Sequence, residues 1–205
     1  MAKKTKVTAA AATDEKESIN IVILGSSATG KTALATTYLF NVFQAHHTPT
    51  FDGVFTRKWG GARPQVLTVL EPGCEARLSA RLCSTPIDVF LIAFSLVDQR
   101  TLHDVTDMWA PLARDTNKGP PIPIVLVGCK KDLRPPTLLL DSTQRSEVLE
   151  DEGSKASWKI GAKAYIECSA MTHEGVDEVF NEAMTVGGWT VPIKPSDALC
   201  SAGSK

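Results

Sequence analysis

No stretch of about 18 consecutive apolar residues occurs in the 205-residue sequence, so nothing in it is long enough to cross a bilayer as a helix. A basic surplus is missing too. Lys and Arg number 22 against 23 Asp and Glu, a formal net charge of −1, which argues against a general binder of nucleic acid or anionic membrane. The five cysteines (Cys74, Cys83, Cys129, Cys168 and Cys200) form no C-x-x-C pair, and no histidine stands at zinc-ligand spacing. They read as free thiols of a reducing compartment. His46 and His47 are adjacent and so point to different faces; a solvated loop explains them better than a metal pair. Ala2 excludes N-myristoylation. The first 17 residues hold only a weakly apolar alanine run followed by Asp14, Glu15 and Glu17, so a disordered tail is expected rather than a secretory or mitochondrial signal.

What remains is ordinary globular material: 43% apolar and 22% charged, enough for one α/β domain. Short β-branched runs at Ile19–Leu24, Val66–Leu70, Val89–Phe94, Ile122–Val127 and Ala164–Cys168 are nearly continuous in apolar character, the mark of strands covered on both faces of a parallel sheet. Val54–Lys58 alternates instead and suits an edge hairpin with Val66–Leu70, turned at Gly60-Gly61. Helical patterns follow at Lys31–Phe40, Leu102–Arg114 (with a kink or break at Pro111) and Glu174–Met184. Further helical character lies around Ser142–Glu152 and Ser154–Gly161, after an extended Pro135-Pro136. The alternation predicts an open α/β sheet with helices on both faces over residues 18–187, and a flexible tail from 188 to 205.

The segment Gly25-Ser26-Ser27-Ala28-Thr29-Gly30-Lys31-Thr32 fits G-x-x-x-x-G-K-[ST] and sits between a strand and a helix, the setting this phosphate-binding loop requires. Its glycines let backbone N–H groups turn inward to phosphate oxygens. Lys31 reaches the terminal phosphates, Thr32 offers a hydroxyl to Mg²⁺, and the helix N-terminus adds partial positive charge. A plain glycine-rich turn would give Lys31 and Thr32 no reason to stand where they do.

After the buried run Ile124–Gly128 comes Cys129-Lys130-Lys131-Asp132, and further on Cys168-Ser169-Ala170. These stretches resemble the [NT]-K-x-D and S-A-[KL] motifs of Ras-like GTPases, which implies that Asp132 accepts the N1 and N2 hydrogens of guanine. It implies too that the Lys130 stem covers the base and that a backbone N–H near Ser169-Ala170 meets O6. The chain is more closely similar to the Rho family. The segments IDVFLIAFSLVD, IPIVLVGCKKDLR and YIECSAMTHEGVDEVF carry that likeness, as does Trp109-Ala110-Pro111, over roughly residues 18–186. The resemblance implies a Ras-like G domain with a mostly parallel sheet and a Rho-type insert helix at about 135–152. It implies GTP or GDP with Mg²⁺ as ligands, Phe43 edge-on to the base, and Thr50 as a second metal hydroxyl sensing the γ-phosphate. It also implies effector proteins at switch I and switch II and exchange factors as regulators; a cytoplasmic location, or recruitment to membranes by partners, is expected instead from the residues around Cys200, which lack a prenylation box.

Three departures from that pattern bear on chemistry. Ser27 replaces a glycine and would crowd the γ-phosphate and the attacking water. Leu70 stands where an Asp would hold Mg²⁺ through water, although Glu71 could take over if the register shifts by one. Cys74 replaces the Gln that orients the water, while Gly73 is kept to meet a γ-phosphate. Catalysis of phosphoryl transfer is mostly positioning and charge stabilisation, so slow or absent hydrolysis is expected. Cys74 has no neighbouring base to make it a nucleophile. Arg77 and Arg81 fit a solvated helix face better than built-in arginine fingers. Cys200 is followed by Ser-Ala-Gly-Ser-Lys, too long and polar for a prenylation box, and one acyl group there would anchor only marginally. The alternatives are a pseudo-GTPase scaffold working through protein contacts, which the loss of the Asp favours, and a P-loop small-molecule kinase, which the guanine motifs oppose.

Overall fold

The computed structural model describes residues 18–43, 52–59, 65–72, 86–115, 119–135 and 146–189. In chain order these form β1 (Ser18–Leu24), α1 (Lys31–Phe40), β2 (Asp52–Trp59), β3 (Gln65–Pro72), β4 (Val89–Ser95) and α2 (Gln99–Asp104). A π-turn over Val105–Trp109 joins α2 to α3 (Ala110–Asp115). Then come β5 (Ile124–Cys129), α4 (Glu150–Lys159), β6 (Ala164–Glu167) and α5 (Val176–Val186). Among the described residues six strands build one sheet in the order β2-β3-β1-β4-β5-β6. Only β2–β3 is antiparallel; its Val54↔Leu70 and Lys58↔Val66 pairs are those of the expected hairpin. The turn at Gly60-Gly61 lies outside the described residues.

Period-two alternation explains the continuous apolar runs. Ile19, Ile21 and Ile23 of β1, with Leu91 and Val127, face Leu34 and Tyr38 of α1 and Val179 and Phe180 of α5. Their sequence neighbours Val22 and Leu24, with Phe90, Ile92 and Leu126, face Leu102, Val105, Ala113 and Ile160 on the other side. Helices therefore cover both faces, and the strands need apolar residues at every position. Each fully buried Ile, Leu or Phe contributes roughly 1.5–3 kcal/mol. On the α1–α5 face the Tyr38 and Phe180 rings stack with centroids 3.9 Å apart.

Several boundaries differ from expectation. The helix expected at Leu102–Arg114 starts at Gln99, because the Asp98 side chain accepts from the Arg100 N–H (3.2 Å) and caps it. Pro111 does not break it. The chain widens just upstream, where the Ala110 N–H donates five residues back to the Val105 carbonyl. That extra residue relieves the clash a proline ring makes with the preceding turn. The helical character expected at Ser142–Glu152 is absent from residues 146–149. There the Val148 N–H donates to Leu96 O (2.9 Å) and the Gln99 N–H to Ser146 O (2.8 Å), strapping an extended segment to the start of α2. One helix then runs from Glu150 to Lys159, its first turn bearing Glu150, Asp151 and Glu152 against the positive end of the dipole. Residues 136–145, the rest of the expected insert, lie outside the described residues. Trp189, assigned to the tail, is instead buried at 4% exposure in the α1–α5 core, with its N–H on Met184 O at 2.9 Å.

Candidate nucleotide site

Reversal of strand order around β1 opens a crevice at the carboxyl ends of the parallel strands, the position where such sheets bind ligands. The loop 25–30 leaves β1 into this crevice and returns as α1. Gly25 (φ 144°) presses against β4 so closely that a Cβ would lie 2.2 Å from the Ala93 carbonyl oxygen. Gly30 (φ 110°) lies against the end of β5, where a Cβ would meet that of Cys129 at 3.4 Å. Left-handed backbone with close contact explains why the motif needs glycine at both ends.

Inside the loop the Lys31 ammonium donates to the Ser26 carbonyl (2.9 Å), and the buried Thr29 hydroxyl donates to the same oxygen (3.0 Å). Ser27 and Ala28 are exposed at the tip, Ala28 with φ 61°. Thr32 is the second residue of α1, at the positive end of its dipole. A single hydroxyl at a helix N-terminus suits Mg²⁺, which takes few protein oxygens and completes its shell with phosphates and water.

The other end of the crevice collects the residues after β5 and β6. Lys130 adopts the left-handed conformation (φ 65°), and a short turn over Lys131–Leu133 carries Asp132. The Ser169 hydroxyl donates to Asp132 Oδ1 at 2.6 Å and accepts from the Thr172 N–H at 3.1 Å. The Lys131 N–H donates to Cys168 O (3.1 Å), and its ammonium pairs with Glu174 at the surface. From α1 the Thr37 hydroxyl donates to Ala170 O (3.2 Å), with Val42 O 3.5 Å away as the alternative acceptor, so that the residue before Phe43 lies near the Ser169-Ala170 loop. Phe43 itself is 43% exposed.

The two motifs, 100 residues apart in sequence, thus share one sheet edge. Thr50, Gly73 and Cys74 lie outside the described residues, as do Arg77, Arg81, His46, His47 and the Glu71 side chain. Leu70 is buried at 3% exposure, paired in register with Val22 and packed in the α2-side core. It is a core residue there.

A second group of residues lies outside these motifs. Arg134 grips Glu167 with both terminal guanidinium nitrogens, one at 2.8 Å, and also donates to Val148 O at 3.2 Å. Glu167 holds the Arg134 pKa above its ordinary value, first through this hydrogen bond. The Tyr165 hydroxyl donates to the same carboxylate at 2.8 Å, and burial, then this bond, raises its pKa. A sequence signal existed in the arginine directly after Lys131-Asp132-Leu133, but its partner lies 33 positions away. Cys129 and Cys168 are both buried free cysteines, and the contact with Cys129 followed by burial raises the Cys168 thiol well above the ordinary value, so Cys168 behaves as inert packing.

Comparison with known families places this geometry. The model of the Ras family matches residues 20–186, from the third residue of β1 to the last of α5.

Proposed function

The chain belongs to the Ras family, and on that premise we propose that it is a Rho-type signalling protein that holds GTP, hydrolyses it slowly, and recruits effector proteins through switch I and switch II. Members of the family bind guanine nucleotide with Mg²⁺. The observation that carries the reading is the pairing of ends: a lysine-bearing phosphate loop at 25–32 and the Ser169-braced carboxylate of Asp132 on one sheet edge. Asp132 accepts the paired N–H groups of guanine, which adenine does not offer. Lys31 and the loop amides would take phosphate charge, and Thr32, with Thr50, would supply hydroxyls to a Mg²⁺ whose charge would offset that of the phosphates.

Slow hydrolysis follows from what is absent at the reacting end. Ser27 adds a side chain at the exposed loop tip, and Cys74 cannot orient water as a glutamine amide does. Even well-equipped relatives turn over at only about 10⁻⁴ s⁻¹ unaided, so loss of the positioning residue leaves a protein that holds its ligand. A scaffold with weak nucleotide binding is the second reading, favoured by the burial of Leu70 in the core where a metal-shell Asp is expected.

The nucleotide that co-purifies with the protein, followed by chromatography over hours, tests both. GTP retained supports the holding switch. Rapid conversion to GDP overturns slow hydrolysis, and an empty site that takes up neither nucleotide favours the scaffold.

A further inference from the structure

We propose that Asp104 and Trp109 are positioning residues for the phosphate loop, clamped onto the hydroxyl of Ser26 by the π-turn between them, and that this clamp slows nucleotide release. The inference rests on the reading of loop 25–32 as a nucleotide site.

Ser26 is held from two sides. Its carbonyl accepts Lys31 Nζ at 2.9 Å and Thr29 Oγ1 at 3.0 Å. Its hydroxyl donates to Asp104 Oδ2 at 2.6 Å and accepts from Trp109 Nε1 at 3.1 Å. A hydroxyl has one proton to give, and here it goes to a carboxylate, a short charge-assisted bond. Both partners are about 80 residues distant in sequence, so they tie the loop to a different layer of the fold.

The π-turn makes this convergence possible. In a regular α-helix with 3.6 residues per turn, residues five apart point about 140° away from each other. Asp104 and Trp109 are five apart, and a regular helix would aim only one of them at Ser26. The Ala110 N–H donating to Val105 O widens the intervening turn by one residue. That brings the carboxylate and the indole to one face. Such turns cost helix regularity and concentrate at functional sites. Pro111, which lacks an N–H, keeps the following turn from reverting to regular α geometry.

The energetic consequence is preorganisation. A phosphate loop works by aiming several backbone N–H groups at once, and a loop ordered before binding loses less freedom when ligand arrives. Fixing Ser26 fixes the peptide planes on either side of it. Release of nucleotide requires the loop to loosen, so a clamp outside the ligand's own contacts slows that step.

Release of a fluorescent N-methylanthraniloyl GDP from the full chain, chased with excess GDP well below the melting transition, reads the clamp. Trp109→Phe removes only the indole N–H, and Ser26→Ala removes both bonds. Trp109→Phe should speed release about fivefold, the equivalent of one hydrogen bond near 1 kcal/mol, and Ser26→Ala, which loses two, about 25-fold. The double variant should be no faster than Ser26→Ala alone. Asp104→Asn, still an acceptor, should retain most of the slow release that Asp104→Ala loses. Val179→Ala in α5, on the opposite face, lowers stability without touching the loop and should leave release unchanged. Rates within twofold of the parent for Trp109→Phe and Asp104→Ala, or additive effects in the double variant, overturn the clamp. If the parent takes up no guanine nucleotide, the nucleotide reading fails and the clamp is judged by ¹⁵N NMR of the tryptophan indoles. The Trp109 Nε1–H signal, assigned by its loss in Trp109→Phe, should move and exchange faster in Ser26→Ala; an unmoved signal overturns it.

Discussion

The hydroxyl of Ser169 donates to Asp132 Oδ1 at 2.6 Å, although 37 residues separate them. One loop after β5 and another after β6 are thereby locked into a single surface, the one proposed to read the base. A carboxylate in that position can accept more than one donor at once, so the brace and guanine recognition are compatible. Asp132→Ala should weaken guanine nucleotide binding by about 2–4 kcal/mol, the loss of charge-assisted hydrogen bonds. Ser169→Ala, which only loosens the brace, should weaken it by about 1 kcal/mol. Titration calorimetry with GDP gives both, and equal losses would contradict the assigned roles.

Gly25→Ala should cost about 3 kcal/mol or more, since its Cβ would lie 2.2 Å from a backbone oxygen at φ 144°. Gly188→Ala should cost only about 1–2 kcal/mol, because φ is 74° there but no atom lies within 4 Å. Urea denaturation of the two variants measures the difference.

Arg134→Ala should destabilise the fold by about 3 kcal/mol, because Glu167, 10% exposed, keeps a charge whose guanidinium partner is gone. For a chain of this size that is roughly 6–12 °C in Tm. Adding Glu167→Gln removes the stranded charge and should restore part of the loss in a thermal melt.

Both tyrosines of the chain resist ionisation. Burial, then the nearby charge of Asp177, pushes Tyr38 up to about 12, and burial raises Tyr165 as well. A folded pKa above the unfolded value near 10 means that this stability is fully present below about pH 10. It is lost as pH rises toward 12. Tyrosinate absorbance should therefore stay flat through pH 10 and rise together with unfolding. Tyr38→Phe, which keeps the ring stack on Phe180, should move the alkaline unfolding midpoint upward. A non-cooperative titration near 10 in folded protein would contradict this.

Hydrolysis should be recoverable by restoring the two altered positions together. Ser27→Gly with Cys74→Gln is expected to raise single-turnover GTP hydrolysis on the order of 10²-fold, the scale on which positioning errors act. Release of inorganic phosphate follows it. No change in the double variant would move the cause of slow hydrolysis to Leu70.

The sequence by itself determined the strands, the phosphate-loop motif and the residues proposed to read the base. Each is written in contiguous residues whose chemistry is local: alternation sets a strand, and G-x-x-x-x-G-K-T needs its own glycines and lysine. The fold class followed, because strand–helix alternation leaves few arrangements. Only the tertiary structure decided that Leu70 is core, that Trp189 closes the α1–α5 layer, that Arg134 meets Glu167, and that Asp104 and Trp109 meet Ser26. Those contacts depend on sheet register and on helix phase, and a one-residue widening before Pro111 turns a side chain far around its axis. Local pattern carries no term for that phase. It is set where the helix packs on the sheet, by residues distant in sequence.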